Sequence, residues 1–357
     1  MDNNERKNNE INVEETSYTE CRAGEGDGVL KTDARDYFSR LFFAVLILSA
    51  VNFGIQISVS YIFYYNFPAI YNSWQFSWIV SVIPLYCIAL PLFILTLPKL
   101  RYTYQAPHKV KTPTLLLFLL ISMACMTLFN YVSAYSVEMI RTLSNDMLFK
   151  QDALNEMISE TPIWVTALVV CIIAPIGEEF IFRKLIVDRT QAFGELSACI
   201  ISGIIFGLFH GNLRQAIYAA PLGMVLAYVY IKTRNLIYPI LMHMTVNLFG
   251  SVVVPNLALY ALDGIDALEK GPITPELISE NILSLLIYLG IFGIGGAILI
   301  GGIVAFIVLL CKKKIRFSKQ TILKDTNFKL IPYVLSSPGA IVMLVFFGFL
   351  ILRAATR

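Results

Sequence analysis

The sequence predicts an all-α fold, a polytopic transmembrane helical bundle of about 8–9 spans. Three observations point there. Of the 357 residues, 57% are apolar and only 15% are charged, whereas a soluble domain carries about 25% charge. Apolar runs of about 20 residues recur along the chain, and a helix of that length crosses a bilayer core with its backbone satisfied internally. The loops between the runs alternate between basic and acidic or neutral, as in a chain that crosses a membrane repeatedly.

Residues 1–40 hold ten acidic and six basic residues and few large apolar ones. This composition predicts a disordered cytoplasmic tail, with a short amphipathic piece near Tyr37 and Phe38, and not a cleaved signal peptide. The first two spans are expected at 41–65 and 76–97, joined by an uncharged loop. The loop 98–113 carries Lys99, Arg101, Lys109 and Lys111 and no acid. A third span at 114–135 leads to a loop rich in acids, among them Glu138, Asp146, Asp152, Glu156 and Glu160. The fourth span, 162–188, carries two adjacent glutamates. The fifth, 196–210, is short, and the sixth, 213–231, ends at Lys232 and Arg234.

A seventh span is expected at 236–253, followed by an acidic loop at 254–281. The eighth, 282–310, is rich in glycine, which lets helices approach closely in lipid. It runs into the basic block Lys312-Lys313-Lys314-Ile315-Arg316. The ninth is expected at 335–352. The first and ninth spans should stand apart from the polar residues described below. The loops after the even-numbered spans are basic, so the N-terminus is expected on the cytoplasmic side. The chain divides into the tail (1–40), N-terminal helices (41–110), a central membrane core (111–255), and an extracytoplasmic loop with C-terminal helices (256–357).

The net charge of +3 gathers in short loops beside apolar runs and implies no nucleic-acid partner. Cys21, Cys87, Cys125, Cys171, Cys199 and Cys311 form no CxxC pair and read as small packing residues. The C-terminal Ala354-Ala355-Thr356-Arg357 carries no lipidation motif.

Residues 175–247 concentrate the unexpected chemistry. Glu178, Glu179, Arg183, His210, His243 and Asn247 all lie inside apolar runs. Ionisable groups inside a membrane are costly and are functional candidates by default. Glu179 and Arg183 are four apart and share a helix face, acid first. Glu178 points about 100° away, so Arg183 should hold Glu179 and leave Glu178 free. Counted from the loop near residues 190–195, Glu178 and His210 lie at similar depths, about 18 and about 22 Å. His243 and Asn247 share a face of the seventh span. One cavity could hold all four if these helices are neighbours.

A carboxylate with a histidine can remove a proton from water. A second histidine and an asparagine can donate to the oxyanion of amide hydrolysis. Glu178, His210 and His243 would equally make a zinc site with an open position, so metal-free and zinc-dependent chemistry both stand. No HExxH and no GxSxG is present. Three functions fit such a site. They are an endopeptidase, a non-catalytic membrane protein that binds a peptide, and a transporter with a proton relay. The last is disfavoured, because there is no internal repeat and the polar residues sit in one half of the chain.

The motifs resemble those of the CPBP intramembrane protease family, which includes type II CAAX prenyl endopeptidases, abortive-infection proteins and lysostaphin-resistance-like proteins. EExxxR is matched by Glu178, Glu179 and Arg183, FxxxH by Phe206 and His210, and HxxxN by His243 and Asn247. The resemblance covers roughly residues 110–250. It implies a multi-pass protein, of a bacterial cell membrane, that hydrolyses a peptide bond in a membrane-associated or lipidated protein. Glu178 would activate water with help from His210, Glu179 and Arg183 would fix the helix, and His243 and Asn247 would form the oxyanion hole. The partners implied are membrane lipid and a peptide or lipidated protein. The family also contains bacteriocin-immunity proteins, so peptide binding without turnover stays open beside hydrolysis.

Overall fold

The structure is a computed structural model and describes residues 27–99, 110–149, 160–270, 272, 274–318 and 327–356. The tail to residue 26, with Cys21, and the middles of the basic loop after the second span and the acidic loop after the third lie outside the described residues.

Ten helices carry the fold: α1 Asp27–Asn66, α2 Trp74–Thr96, α3 Thr112–Leu143, α4 Ile163–Phe193, α5 Glu195–Phe209, α6 Leu213–Thr233, α7 Ile237–Lys270, α8 Pro275–Cys311, α9 Asn327–Leu335 and α10 Pro338–Ala355. Eight are long and apolar enough to cross a membrane; α5 is shorter. Among the described residues there is no strand. Large apolar side chains such as Leu95, Tyr135, Leu286 and Ile300 face outward, while Ser49, Ser122, Glu179, Arg183 and Ser202 are buried. That inside-out distribution suits a lipid solvent, in which polar groups must find partners within the bundle.

Two boundaries and the placement of one span differ from the sequence reading. Residues 27–40, expected in the disordered tail, are the first turns of α1. Phe38, Leu41 and Phe42 are fully buried there against Phe193 and α10; a stripe of aromatics inside a charged composition was enough to form a helix. Residues 254–270, expected as part of a loop, continue α7. The acids sit on one side, and Ala261 and Gly264 are buried on the other, with Gly264 packed directly on Ser284 of α8. At 1.5 Å per residue α7 is about 50 Å long, well beyond the roughly 30 Å hydrocarbon core. Acidity therefore marked the end of the membrane and not the end of the helix. The first span does not stand apart: Phe53 of α1 packs beside Gly211, next to His210.

Side-chain contacts order the helix ends. Arg189 at the base of α4 donates to Pro98 O after α2 (3.2 Å). Asp188 pairs with Arg234 after α6 (3.1 Å), and Glu195 of α5 pairs with Lys232 of α6 (2.5 Å) and accepts from Ser318 N after α8 (2.6 Å). The ends of α2, α4, α6 and α8 thus share one side, with the base of α1 (Tyr37 Oη to Arg189 O, 3.2 Å). The opposite side holds the end of α10, where Ala355 O accepts from Phe149 N beyond α3 (2.6 Å). The basic segments meet on one side, as the loop charges predicted.

Close backbone approach sets the angles between helices. A Cβ on Gly203 would lie 2.7 Å from Ala220 O, and one on Gly207 would lie 2.7 Å from Ala216 O. Helices α5 and α6 therefore meet along a Gly-xxx-Gly edge with no room for a side chain. Gly207→Leu is expected to force them apart and cut the folded fraction several-fold, since overpacking costs about 1–3 kcal/mol or more. Fluorescence-detected size exclusion of the variant would check this; a normal monodisperse peak would remove the constraint.

Candidate active site

Prolines shape the helices that carry the site. Pro175 has no N–H for the carbonyl one turn back, and the preceding residues Val169–Ile173 relax into a wide π turn. Pro84 opens a π turn over Pro84–Ala89 in α2, and Pro255 follows another at Leu248–Val253 in α7. A further wide turn, Phe180–Val187, contains no proline and holds Arg183. Glu178, Glu179, Arg183 and Asn247 lie within or beside these turns, whereas Phe206 and His210 belong to the uninterrupted α5 and its C-cap. Each such turn inserts extra backbone and rotates the side chains beyond it off the regular 3.6-residue register.

The buried centre is an ion pair. Arg183 Nε lies 2.7 Å from Glu179 Oε2, and its Nη2 lies 3.3 Å from Oε1, a two-pronged contact with both side chains fully buried. Nη1 donates to Ser202 Oγ of α5 (2.8 Å), and that hydroxyl donates to Phe182 O (3.3 Å). The guanidinium also lies over the Phe206 ring, 5.2 Å from its centroid. Excellent geometry of this kind is what a buried pair needs to offset its desolvation. The expected Glu179–Arg183 clamp is thus present, with Ser202 added. A lone serine in an apolar run was its sequence signal.

His243 connects the two glutamates. Its Nδ1 lies 2.9 Å from Glu179 Oε1, and its Nε2 lies 3.8 Å from Glu178 Oε2. Glu179 is held by arginine as a carboxylate, so the Nδ1 proton is donated to it. Nε2 is then directed towards Glu178 at a separation too long for a direct hydrogen bond. Glu178 is only partly buried, unlike its neighbour. The depth argument paired Glu178 with His210; the histidine contact the structure records for Glu178 is with His243, at 3.8 Å. The Nδ1 of His210 donates to Phe206 O of its own helix (2.9 Å), a carbonyl that can only accept. Phe206 stands between the histidines: its ring meets His210 edge-on at 5.1 Å and His243 at 5.6 Å. The four residues share one region, organised around Phe206. Asn247 donates from Nδ2 to Val170 O of α4 (2.9 Å), which ties α7 to the helix that bears the glutamates.

Among the described residues, no three His, Cys, Asp or Glu side chains are gathered to hold a metal ion. In both His210 and His243 the Nδ1 is committed, to a carbonyl and to a carboxylate, which leaves each Nε2 available, so this pairing suits a metal ligand as well as metal-free chemistry. The five described cysteines are free thiols scattered over the bundle.

Residues 160–249 match the model of the type II CAAX prenyl endopeptidase Rce1-like family. That stretch is similar to the family over about a quarter of the chain. The Rce1-like segment contains α4, α5, α6 and the site-bearing part of α7, a narrower stretch than the one from residue 110 that the motifs suggested. Within curated proteins, the chain is 33% identical over 101 residues to YdiL of Bacillus subtilis, named as a membrane peptidase; the match covers 27% of this chain and 39% of the relative. It is 33% identical over 94 residues to the membrane-embedded CAAX protease MroQ of Staphylococcus aureus, covering 24% of this chain and 36% of the relative. A third match, YxdF of Lactococcus lactis, is 27% identical over 132 residues, which is 35% of this chain and 69% of that protein. The matches thus span well under half of YdiL and MroQ. No solved structure matches the chain significantly.

Proposed function

We propose that the protein is an intramembrane endopeptidase, acting on a membrane-associated or lipidated protein or peptide in a bacterial cell membrane. The observation that carries this reading is the His243 ring held between a buried, arginine-paired glutamate and a second, partly accessible one (2.9 and 3.8 Å). A purely structural clamp would need only the first. The Rce1-like core and the names of its relatives supply the reaction class.

In this reading Glu178 takes a proton from water as the water oxygen attacks the substrate carbonyl carbon. His210, its Nδ1 occupied by Phe206 O, keeps Nε2 for the same water. The oxyanion is met by the second N–H of Asn247 Nδ2 and by Nε2–H of His243 when that ring carries both protons. The proton on Glu178 then passes to the departing amine nitrogen as the C–N bond breaks. Glu179, Arg183 and Ser202 hold His243 in place and touch no substrate. The catalytic core lies in residues 111–255, and the basic side of the bundle, with the N-terminus, faces the cytoplasm.

The test is product analysis of a lipidated reporter peptide incubated with the purified protein in lipid, with and without a strong chelator. Cleavage that survives the chelator supports the water-and-glutamate route; loss on chelation would replace it with a metal-dependent one. Asn247→Ala is expected to lower kcat about 10²-fold with little change in KM. An unchanged kcat would remove the oxyanion role. If wild type binds the peptide and returns it intact, the protein is a peptide-binding membrane protein instead.

A further inference from the structure

The two helices before the Rce1-like segment reach its polar residues. Tyr86 of α2 packs on Gly177 with the hydroxyl end of its ring: a Cβ there would be 2.5 Å from the ring carbon that bears the hydroxyl and closer still to its neighbours. Gly177 directly precedes Glu178, and the Glu178 charge acts on the Tyr86 hydroxyl. On the other side, Phe53 of α1 packs on Gly211, with ring carbons 3.1, 3.4 and 3.8 Å from a Cβ placed there. Gly211 follows His210 and has φ +69°, so a side chain there would be both strained and obstructed. Glu178 and His210 each have a glycine neighbour, and an aromatic ring from α1 or α2 occupies the space that glycine leaves.

Tyr86 is half-buried and packs against the apolar core with Phe53. The π turn that begins at Pro84 carries it. A phenol withdrawn from water normally finds a hydrogen-bond partner, and the ionisable group beside this one is Glu178. We propose that Tyr86 is a positioning residue for Glu178: its hydroxyl donates to the carboxylate and fixes the oxygen that receives the proton from water. The inference rests on Glu178 being the base. Apart from Tyr86 and Phe53, the site's side chains come from the Rce1-like segment, so this device depends on helices outside it.

Tyr86→Phe keeps the ring on Gly177 and removes only the hydroxyl. In the peptide assay it is expected to lower kcat about 10-fold with KM changed less than twofold, the loss of one hydrogen bond to a charged group. Tyr86→Ala should lower kcat further and also reduce thermal stability. A second readout needs no turnover. The infrared carboxylate band that disappears in Glu178→Gln should shift in Tyr86→Phe. An unshifted band, or a wild-type kcat in Tyr86→Phe, overturns the proposal. Glu178→Gln, assayed in parallel, separates the two readings. If it cleaves normally, the base assignment fails. If it is inactive while Tyr86→Phe cleaves like wild type, only the Tyr86 assignment fails.

Discussion

Glu178→Gln is expected to lower peptide cleavage by about 10²–10⁴-fold, the contribution of a positioned general base, with the helical content and elution profile of wild type. The geometry gives the reason for both halves. Glu178 does not bond Arg183; among the described residues it approaches the buried network at His243 Nε2, 3.8 Å away. Glutamine keeps the shape and the polarity, so the partly exposed position loses little packing. It cannot, however, accept and return a proton. The measurement is kcat/KM for the reporter peptide by mass spectrometry, with circular dichroism as the control. Near-normal turnover would take the base away from Glu178.

Arg183→Ala should act in the opposite way, through the fold. Among the described residues Arg183 is the largest fully buried side chain, and it holds Glu179 with two nitrogens and Ser202 with a third. Its removal leaves the Glu179 carboxylate buried with only His243 and no compensating cation. Breaking such a pair costs about 3–5 kcal/mol, a large part of the roughly 5–15 kcal/mol that typically separates folded from unfolded chains. The expected result is a marked drop in melting temperature and in recovered protein. Arg183→Lys should rescue only partly, because an ammonium cannot reproduce the planar fork. Replacing Glu179 and Arg183 together by leucine should be milder than either single change, since no charge is then stranded. Single variants as stable as wild type would show that the pair is not the clamp.

The membrane class was legible because it depends on composition and run length, which are local quantities. The glutamate–arginine pair was legible for a similar reason: positions four apart on one helix meet whatever the rest of the chain does. The histidine partner of Glu178 was not. Depth along a helix can be had by counting residues, but the direction a side chain faces depends on rotation. Each π turn rotates the residues beyond it by roughly one residue's worth of arc, about 100°. Four such turns lie in α2, α4 and α7, so the facing of Glu178 towards His243 could not be had by counting. Tyr86 and Ser202 carried little signal, being single polar residues whose role comes from a helix distant in sequence. The reading of residues 254–270 as a loop failed because charge there was taken as a break in structure, when it marked an exit from lipid.

Sequence alone indicates that this chain is a helical membrane protein, which polar residues lie inside its apolar runs, and which acid the arginine holds. Hydrophobic run length and the fixed rise and turn of a helix are sufficient for all three. The folded arrangement was needed to show that His243 joins the two glutamates, that Phe206 stands between the histidines, and that Tyr86 and Phe53 close on the site from α2 and α1. These depend on how helices far apart in sequence are rotated and how closely they approach. That is set by glycine contacts such as Gly177 with Tyr86 and Gly207 with Ala216, where the absence of a side chain on one helix admits the other.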